Sequence, residues 1–147
     1  MKCNIYLRPV KEQDMELLLE WRNDEECRKN FFSSDIVDFD THKAWFKKML
    51  VNKNEYAYIL IDNNIPIGQV RLSVNGTNAN ISYSIAKEYR GKGYGVDILR
   101  LVTEKAFNEM PNITLVGEVF DTNIASQQVF EKLGFEKQKI VIYKKKL

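Results

Sequence analysis

Hydrophobic and polar positions along this chain repeat with two different periods. In residues 3–9, Ile5 and Leu7 fall on one side and Tyr6 and Arg8 on the other. That two-residue period predicts a short strand, which Pro9 ends. Over residues 11–22 the period lengthens, and Met15, Leu18, Leu19 and Trp21 form one helical stripe. Glu12, Asp14 and Glu16 suit the positive first turns of such a helix. Asn23-Asp24 interrupts it, and a short second helix is predicted over residues 25–29. Residues 31–35 (Phe-Phe-Ser-Ser-Asp) predict a loop. A third helix is expected after Phe39, with Ala44, Trp45, Met49 and Leu50 inward and Asp40 or Thr41 as its cap.

A β region follows. Residues 56–61 and 67–74 predict strands joined by the turn Asp62-Asn63-Asn64, and Asn75-Gly76 signals a hairpin into a third strand at 79–86. These three make an antiparallel meander. A long helix to about residue 109 is stopped by Pro111, and residues 113–119 predict the next strand. A strand–helix–strand crossover makes that strand parallel to the one before the helix. Asp121-Thr122-Asn123 opens a last helix, Gly134 is expected to cap it, and residues 135–143 predict a closing strand. With no internal repeat, linker or low-complexity segment, residues 1–147 are expected to form one α/β (α+β) domain.

One stretch organises the rest: Ser82-Tyr-Ser-Ile-Ala-Lys-Glu-Tyr-Arg-Gly-Lys-Gly-Tyr-Gly95, a strand, a glycine-rich turn and the start of the long helix. Glycine admits backbone conformations that a Cβ resists and lets a ligand approach main-chain N–H groups. The first amides of a helix have no partner within it, so a loop of this kind at a helix N-terminus is suited to phosphate. A Walker loop is excluded because Val96-Asp97, not Lys-Ser/Thr, follows the last glycine. A dinucleotide fingerprint is excluded as well. Its third glycine would stand at 96, and Thr114 and Leu115 occupy the place of its acid.

Arg90-x-x-Gly93-x-Gly95 resembles the Gln/Arg-x-x-Gly-x-Gly/Ala signature of the GNAT N-acetyltransferases, and Asn123-x-x-Ser126-x-x-x-Phe130-x-x-x-Gly134-Phe135 resembles the second signature of that family. The predicted element order matches the fold of the family along nearly the whole chain. The resemblance implies a mixed central sheet of about six to seven strands, flanked by helices, in which two central parallel strands splay apart. It also implies acetyl-CoA as acetyl donor. Arg90, Gly91, Lys92, Gly93, Tyr94 and Gly95 would hold its pyrophosphate, and backbone groups of Tyr83, Ser84 and Ile85 its pantetheine arm. Asn123, Ser126 and Phe130 would complete the cofactor contacts.

Composition narrows the picture further. A net charge of +2, with basic residues spread among acidic ones, gives no concentrated field for a nucleic-acid backbone. No apolar run approaches the ~20 residues of a membrane span. The N-terminus carries no signal-peptide core, so the expected location is the cytoplasm. Cys3 and Cys27 lack metal-ligand spacing, and neither they nor the chemistry call for a metal.

Acetyl transfer to an amine needs a neutral amine, a polarised thioester carbonyl and a proton for the departing thiolate. The resemblance points to Glu118, late on its strand, as the base, with His42 as second candidate. Members of the family often carry a tyrosine in the last helix as acid; Phe130 stands there in this chain, leaving Tyr83, Ser126, Tyr143 or water. For the acceptor, Trp21-Arg22-Asn23 and His42-x-x-Trp45-Phe46 resemble the branch that acetylates nucleotide-linked amino sugars, including the UDP-4-amino-sugar enzymes of pseudaminic acid synthesis. A small-molecule amine is then the partner, bound by a monomer or homodimer. Two alternatives stand beside this reading: a protein N-terminal acetyltransferase of the ribosomal-protein type, and a CoA-binding module without turnover.

Overall fold

The computed structural model describes residues 4–30 and 34–147; Cys3 and the Phe31-Phe32-Ser33 part of the expected loop lie outside the described residues. Five strands form one sheet in the order β1 (Ile5–Pro9), β2 (Glu55–Asp62), β3 (Ile65–Asn75), β4 (Asn78–Ile85) and β5 (Thr114–Gly117). The first four pair antiparallel and β5 joins β4 in parallel, as the crossover requires. Among the described residues five helices flank the sheet: α1 (Met15–Asn23), α2 (Glu25–Lys29), α3 (Phe39–Val51), α4 (Tyr94–Glu109) and α5 (Ile124–Lys132). Residues 12–14, expected within the first helix, form a 3-10 turn before it.

β2 is apolar on both faces over residues 58–61, so it is buried on both. Alternate residues of β2 divide between two cores. Tyr58 and Leu60 pack with Val70, Leu72 and Ile81 against Ile98, Leu99, Val102 and Ala106 of α4. Ile59 and Ile61 face the other way, onto Leu18 of α1 and Phe46 and Met49 of α3. Each fully buried aliphatic chain here contributes about 1.5–3 kcal/mol. The hairpin turns follow their residues: Asn63 and Asn64 both take positive φ between β2 and β3, and Gly76 does so between β3 and β4.

Local chemistry sets the helix ends. Asp38, rather than Asp40 or Thr41, caps α3: its carboxylate accepts from the Thr41 amide at 2.8 Å and the Thr41 hydroxyl at 2.9 Å. The third helix therefore begins at Phe39, and His42 lies in its first turn. Asn123 caps α5 by accepting from the Ser126 amide at 3.2 Å, and Gly134 ends it at φ 82°. No helix among the described residues is long and apolar enough to cross a membrane.

At the C-terminal end the structure departs from expectation. Residues 136–147 form no strand, and Ile140, Val141, Ile142 and Tyr143 are 71–92% exposed. A β-prone run becomes a strand only where a neighbouring edge takes up its N–H and C=O groups. In this structure no strand edge does so for residues 136–143, and the mixed sheet among the described residues has five strands, close to the expected six to seven.

Candidate active site

β4 and β5 are in register for only four residue pairs, Asn78 with Thr114 through Ile81 with Gly117. Beyond that point β5 ends, while β4 continues to Ile85 along β3. Residues 118 and 119, expected in the strand, have already left it. The two parallel strands therefore diverge, and one side of β4 from Ser82 to Ile85 faces an opening. Strand alternation tells which backbone groups face it. The Thr114 amide donates to the Thr77 carbonyl across the β4–β5 seam, whereas the Ala86 amide donates to Ile67 on the β3 side. Odd-numbered residues of β4 thus point main-chain groups towards the seam, so Tyr83 and Ile85 present theirs to the cleft and Ser84 gives its own to β3. Ser84 reaches the cleft through its side chain, whose Oγ accepts from Gln69 Nε2 at 3.1 Å.

The opening is a cleft of about 730 Å³ that runs from the glycine loop along β4 to α5. At its loop end Gly91 and Gly93 have φ of 76° and 84°, a conformation that costs a residue with a Cβ roughly 1 kcal/mol or more. Gly93 stands at the N-cap of α4 with no side chain over the helix end, so the first-turn amides of Gly95 and Val96 have no partner within the helix. Gly95 packs closely against α5, where a Cβ would lie 3.3 Å from Val129 Cγ2. Arg90 turns its side chain inward: Nε donates to the Ile85 carbonyl at 3.0 Å, and Nη2 to Asp24 Oδ2 at 2.6 Å. The Asp24 carboxyl is pushed up by burial, but the hydrogen bonds from Arg90 and the Cys27 amide outweigh this and hold it below its ordinary range. Lys92 lies 5.8 Å from the Tyr89 ring, exposed at the loop tip. The Tyr94 hydroxyl donates to buried Asp62 at 2.6 Å, and that bond lifts its pKa to about 12. This bond fastens the start of α4 to the end of β2. Open amides, an absent cap and free strand edges fit a pyrophosphate followed by an amide-bearing arm.

At the far end, Asn123, Ser126 and Phe130 of α5 all line the cleft. Phe130 is wedged between Tyr83 (6.1 Å between ring centroids) and Phe135 (5.0 Å) and rests against Gly117, where a Cβ would come within 2.4 Å of the ring. The place next to it is filled by a hydroxyl pair: Tyr83 Oη and Ser126 Oγ are 2.9 Å apart. Burial raises the Tyr83 pKa, and the Ser126 contact only partly offsets the rise. Tyr143 is 92% exposed and does not line the cleft. Glu118 does line it, exposed just past the end of β5.

A second cavity, of about 320 Å³, opens on the opposite face of the sheet between α1 and α3. Trp21, Arg22, His42 and Trp45 line it. Asn23 does not; its side chain bridges to the Val37 backbone with two 2.8 Å hydrogen bonds and so fixes the segment before α3. His42 is buried, with Nε2 donating to the Met15 carbonyl at 2.8 Å and its ring 5.6 Å from that of Trp45. Burial lowers its pKa, so the ring is neutral at pH 7 with Nδ1 left to accept. The two cavities meet: Cys27, Arg71, Ser82 and Ser84 line both. Sequence reasoning missed Arg71, Gln69 and Asp24. The signal that was there is polar Gln69 and Arg71 alternating with buried Val70 and Leu72 on a central strand. Burial lowers the Cys27 thiol's reactivity by raising its pKa. Among the described residues no group of three or more His, Cys, Asp or Glu is placed to hold a metal.

Comparison with known proteins agrees with this geometry. The probable N-acetyltransferase YjcK of Bacillus subtilis is 37% identical over 153 residues, covering 92% of this chain and 82% of that protein. The uncharacterised protein MJ1062 of Methanocaldococcus jannaschii is 28% identical over 140 residues; these cover 92% of this chain but the chain spans only 28% of that protein's length. The crystal structure of a spermidine N-acetyltransferase from Vibrio cholerae, in complex with CoA and spermine, shares the fold with a TM-score of 0.85 at 20% identity, over 92% of this chain and 82% of that one. Residues 4–136 match the acetyltransferase (GNAT) domain, and the chain belongs to this family of N-acetyltransferases, which take acetyl-CoA as the acetyl donor.

Proposed function

We propose that the protein transfers an acetyl group from acetyl-CoA to the primary amine of a small molecule, by direct attack with both substrates bound. The observation that carries this reading is the meeting of the two cavities at Ser82 and Ser84, where β4 is open beyond the end of β5. A donor in the larger cleft and an amine in the smaller one reach the same strand from opposite faces.

When bound, the donor supplies an acetyl group activated as a thioester. The chain supplies the rest. The open amides at the start of α4 hold the pyrophosphate. Backbone groups of Tyr83 and Ile85 hold the arm, and an N–H from this stretch polarises the carbonyl. Glu118 accepts the ammonium proton, directly or through a water, and His42 stays neutral as part of the acceptor wall. Tyr83, steadied by Ser126 and kept protonated by burial, returns a proton to the departing thiolate, the part that a tyrosine at position 130 would otherwise take. The finer assignment of the acceptor is a nucleotide-linked amino sugar of the UDP-4-amino-sugar type. It is supported by two tryptophans and an arginine around one cavity, groups that can stack on a ring and grip a diphosphate.

CoA release, followed with a thiol-reactive dye, tests the reading across UDP-amino sugars, polyamines, aminoglycosides and N-terminal peptides. Turnover with small amines, lowered by roughly 10²-fold or more in Glu118→Gln, is the expected result. Turnover with peptides alone would overturn it.

A further inference from the structure

We infer that the acceptor carries an anionic group, a phosphate or a carboxylate, beside its amine, and that Arg71 selects it. This deepens the acetyl-transfer reading and rests on it for the identity of the smaller cavity as the acceptor site.

Both charged side chains that line that cavity are arginines. Arg22 and Arg71 line it, and no Asp or Glu does among the described residues. The remaining polar lining groups, such as Gln69, Thr41 and neutral His42, carry no charge to offset them. Arg71 sits at the seam with the donor cleft, its guanidinium carbon 4.9 Å from the centre of the Trp45 ring. Its Nε is buried without a hydrogen bond and forms a 3.5 Å ion pair with Glu55, whose Oε2 also accepts from the Ser73 hydroxyl at 2.6 Å. The ion pair offsets part of the cost of burying this guanidinium, but Nε still lacks a hydrogen bond. A ligand anion docking on its planar fork would repay that cost and orient the molecule in two directions at once. The amine at the other end of the ligand is then directed along Ser82 and Ser84 towards the donor.

A polycation meets the opposite situation. Spermidine or an aminoglycoside brings several ammonium groups into a cavity with two guanidinium groups and no carboxylate, where each pair of like charges repels. The spermine seen in the Vibrio cholerae enzyme therefore does not carry over to this chain, although the two share a fold.

Pairs of acceptors that differ in one anionic group decide the matter: glucosamine against glucosamine 6-phosphate, and an amino acid against its methyl ester, with spermidine alongside. CoA release should favour the anionic member of at least one pair by roughly tenfold in kcat/KM, and which pair responds tells phosphate from carboxylate. Arg71→Met should bring that ratio close to one by lowering the anionic member's kcat/KM far more than its partner's; a merely structural role would lower both members alike and keep the ratio. Better turnover of spermidine than of every anionic amine would overturn the proposal, as would an unchanged ratio in Arg71→Met. Calorimetric binding of the same pairs to CoA-saturated protein separates the two readings. Anion-dependent binding without any CoA release counts against acetyl transfer and leaves the pocket's preference standing. Absence of anion-dependent binding removes the preference itself.

Discussion

Tyr83 shows how one residue can be legible in sequence and still be misjudged. Its position on the strand before the glycine loop marks its backbone as a contact for the donor arm, and the structure points its main-chain groups into the opening. Its side chain lies across the sheet on the α5 side, where it meets Ser126, a residue 43 positions away. No spacing rule connects two such positions. Tyr83→Phe should lower kcat by roughly 10²-fold with acetyl-CoA affinity unchanged, because the ring that packs on Phe130 is kept and only the proton is lost. Single-turnover kinetics beside equilibrium binding would check this, and an unchanged kcat would hand the role to water. Gly117 carries a complementary lesson. In sequence it is one more glycine, but its lack of a Cβ admits the Phe130 ring to the place where the strands part.

At the scale of elements, α2 matters more than its five residues suggest. It was predicted as a short helix of no stated purpose, yet its capping residue reaches the glycine loop. Asp24 Oδ2 accepts both from the Cys27 amide, at 3.1 Å, and from Arg90 Nη2. The glycine loop is thus tied to α2, whose Cys27 lines the smaller cavity. Asparagine caps helices about as well as aspartate, so Asp24→Asn removes the charge of the pair while preserving α2. Acetyl-CoA should then bind roughly fivefold more weakly, about 1 kcal/mol, as read by calorimetry. Equal affinity would show that the loop holds its shape without the tether. The strand that failed to form makes the converse point. Residues 135–143 have strand-like composition, but composition carries no information about whether an edge is within reach.

For the whole molecule, the same ion-pair chemistry sets a limit in acid. Asp14 is 4% exposed and bonded by both terminal nitrogens of Arg8 at 2.8 Å. The Arg8 hydrogen bonds, opposed by burial and helped by the Lys11 amide, hold its pKa below the ordinary value. A carboxyl depressed in the folded state contributes stability above its unfolded pKa of about 3.9, and that contribution fades as pH falls through the folded value. Buried His42, also depressed, adds a second loss as pH falls below about 6.5. Thermal midpoints should therefore decline from pH 7 towards pH 3, and Asp14→Asn should flatten the lower part of that decline; a wild-type slope in the variant would exclude Asp14 as its source. The sequence by itself determined the element order, the glycine loop and the family, because hydrophobic period, turn residues and helix caps act over a few neighbouring positions. Only the tertiary structure decided where β4 and β5 part, which cavity each candidate residue lines, that Tyr83 meets Ser126 and that Arg71 lines both cavities. Those depend on contacts between segments far apart in the chain, where strand length, side-chain volume and buried charge settle together what no local pattern encodes.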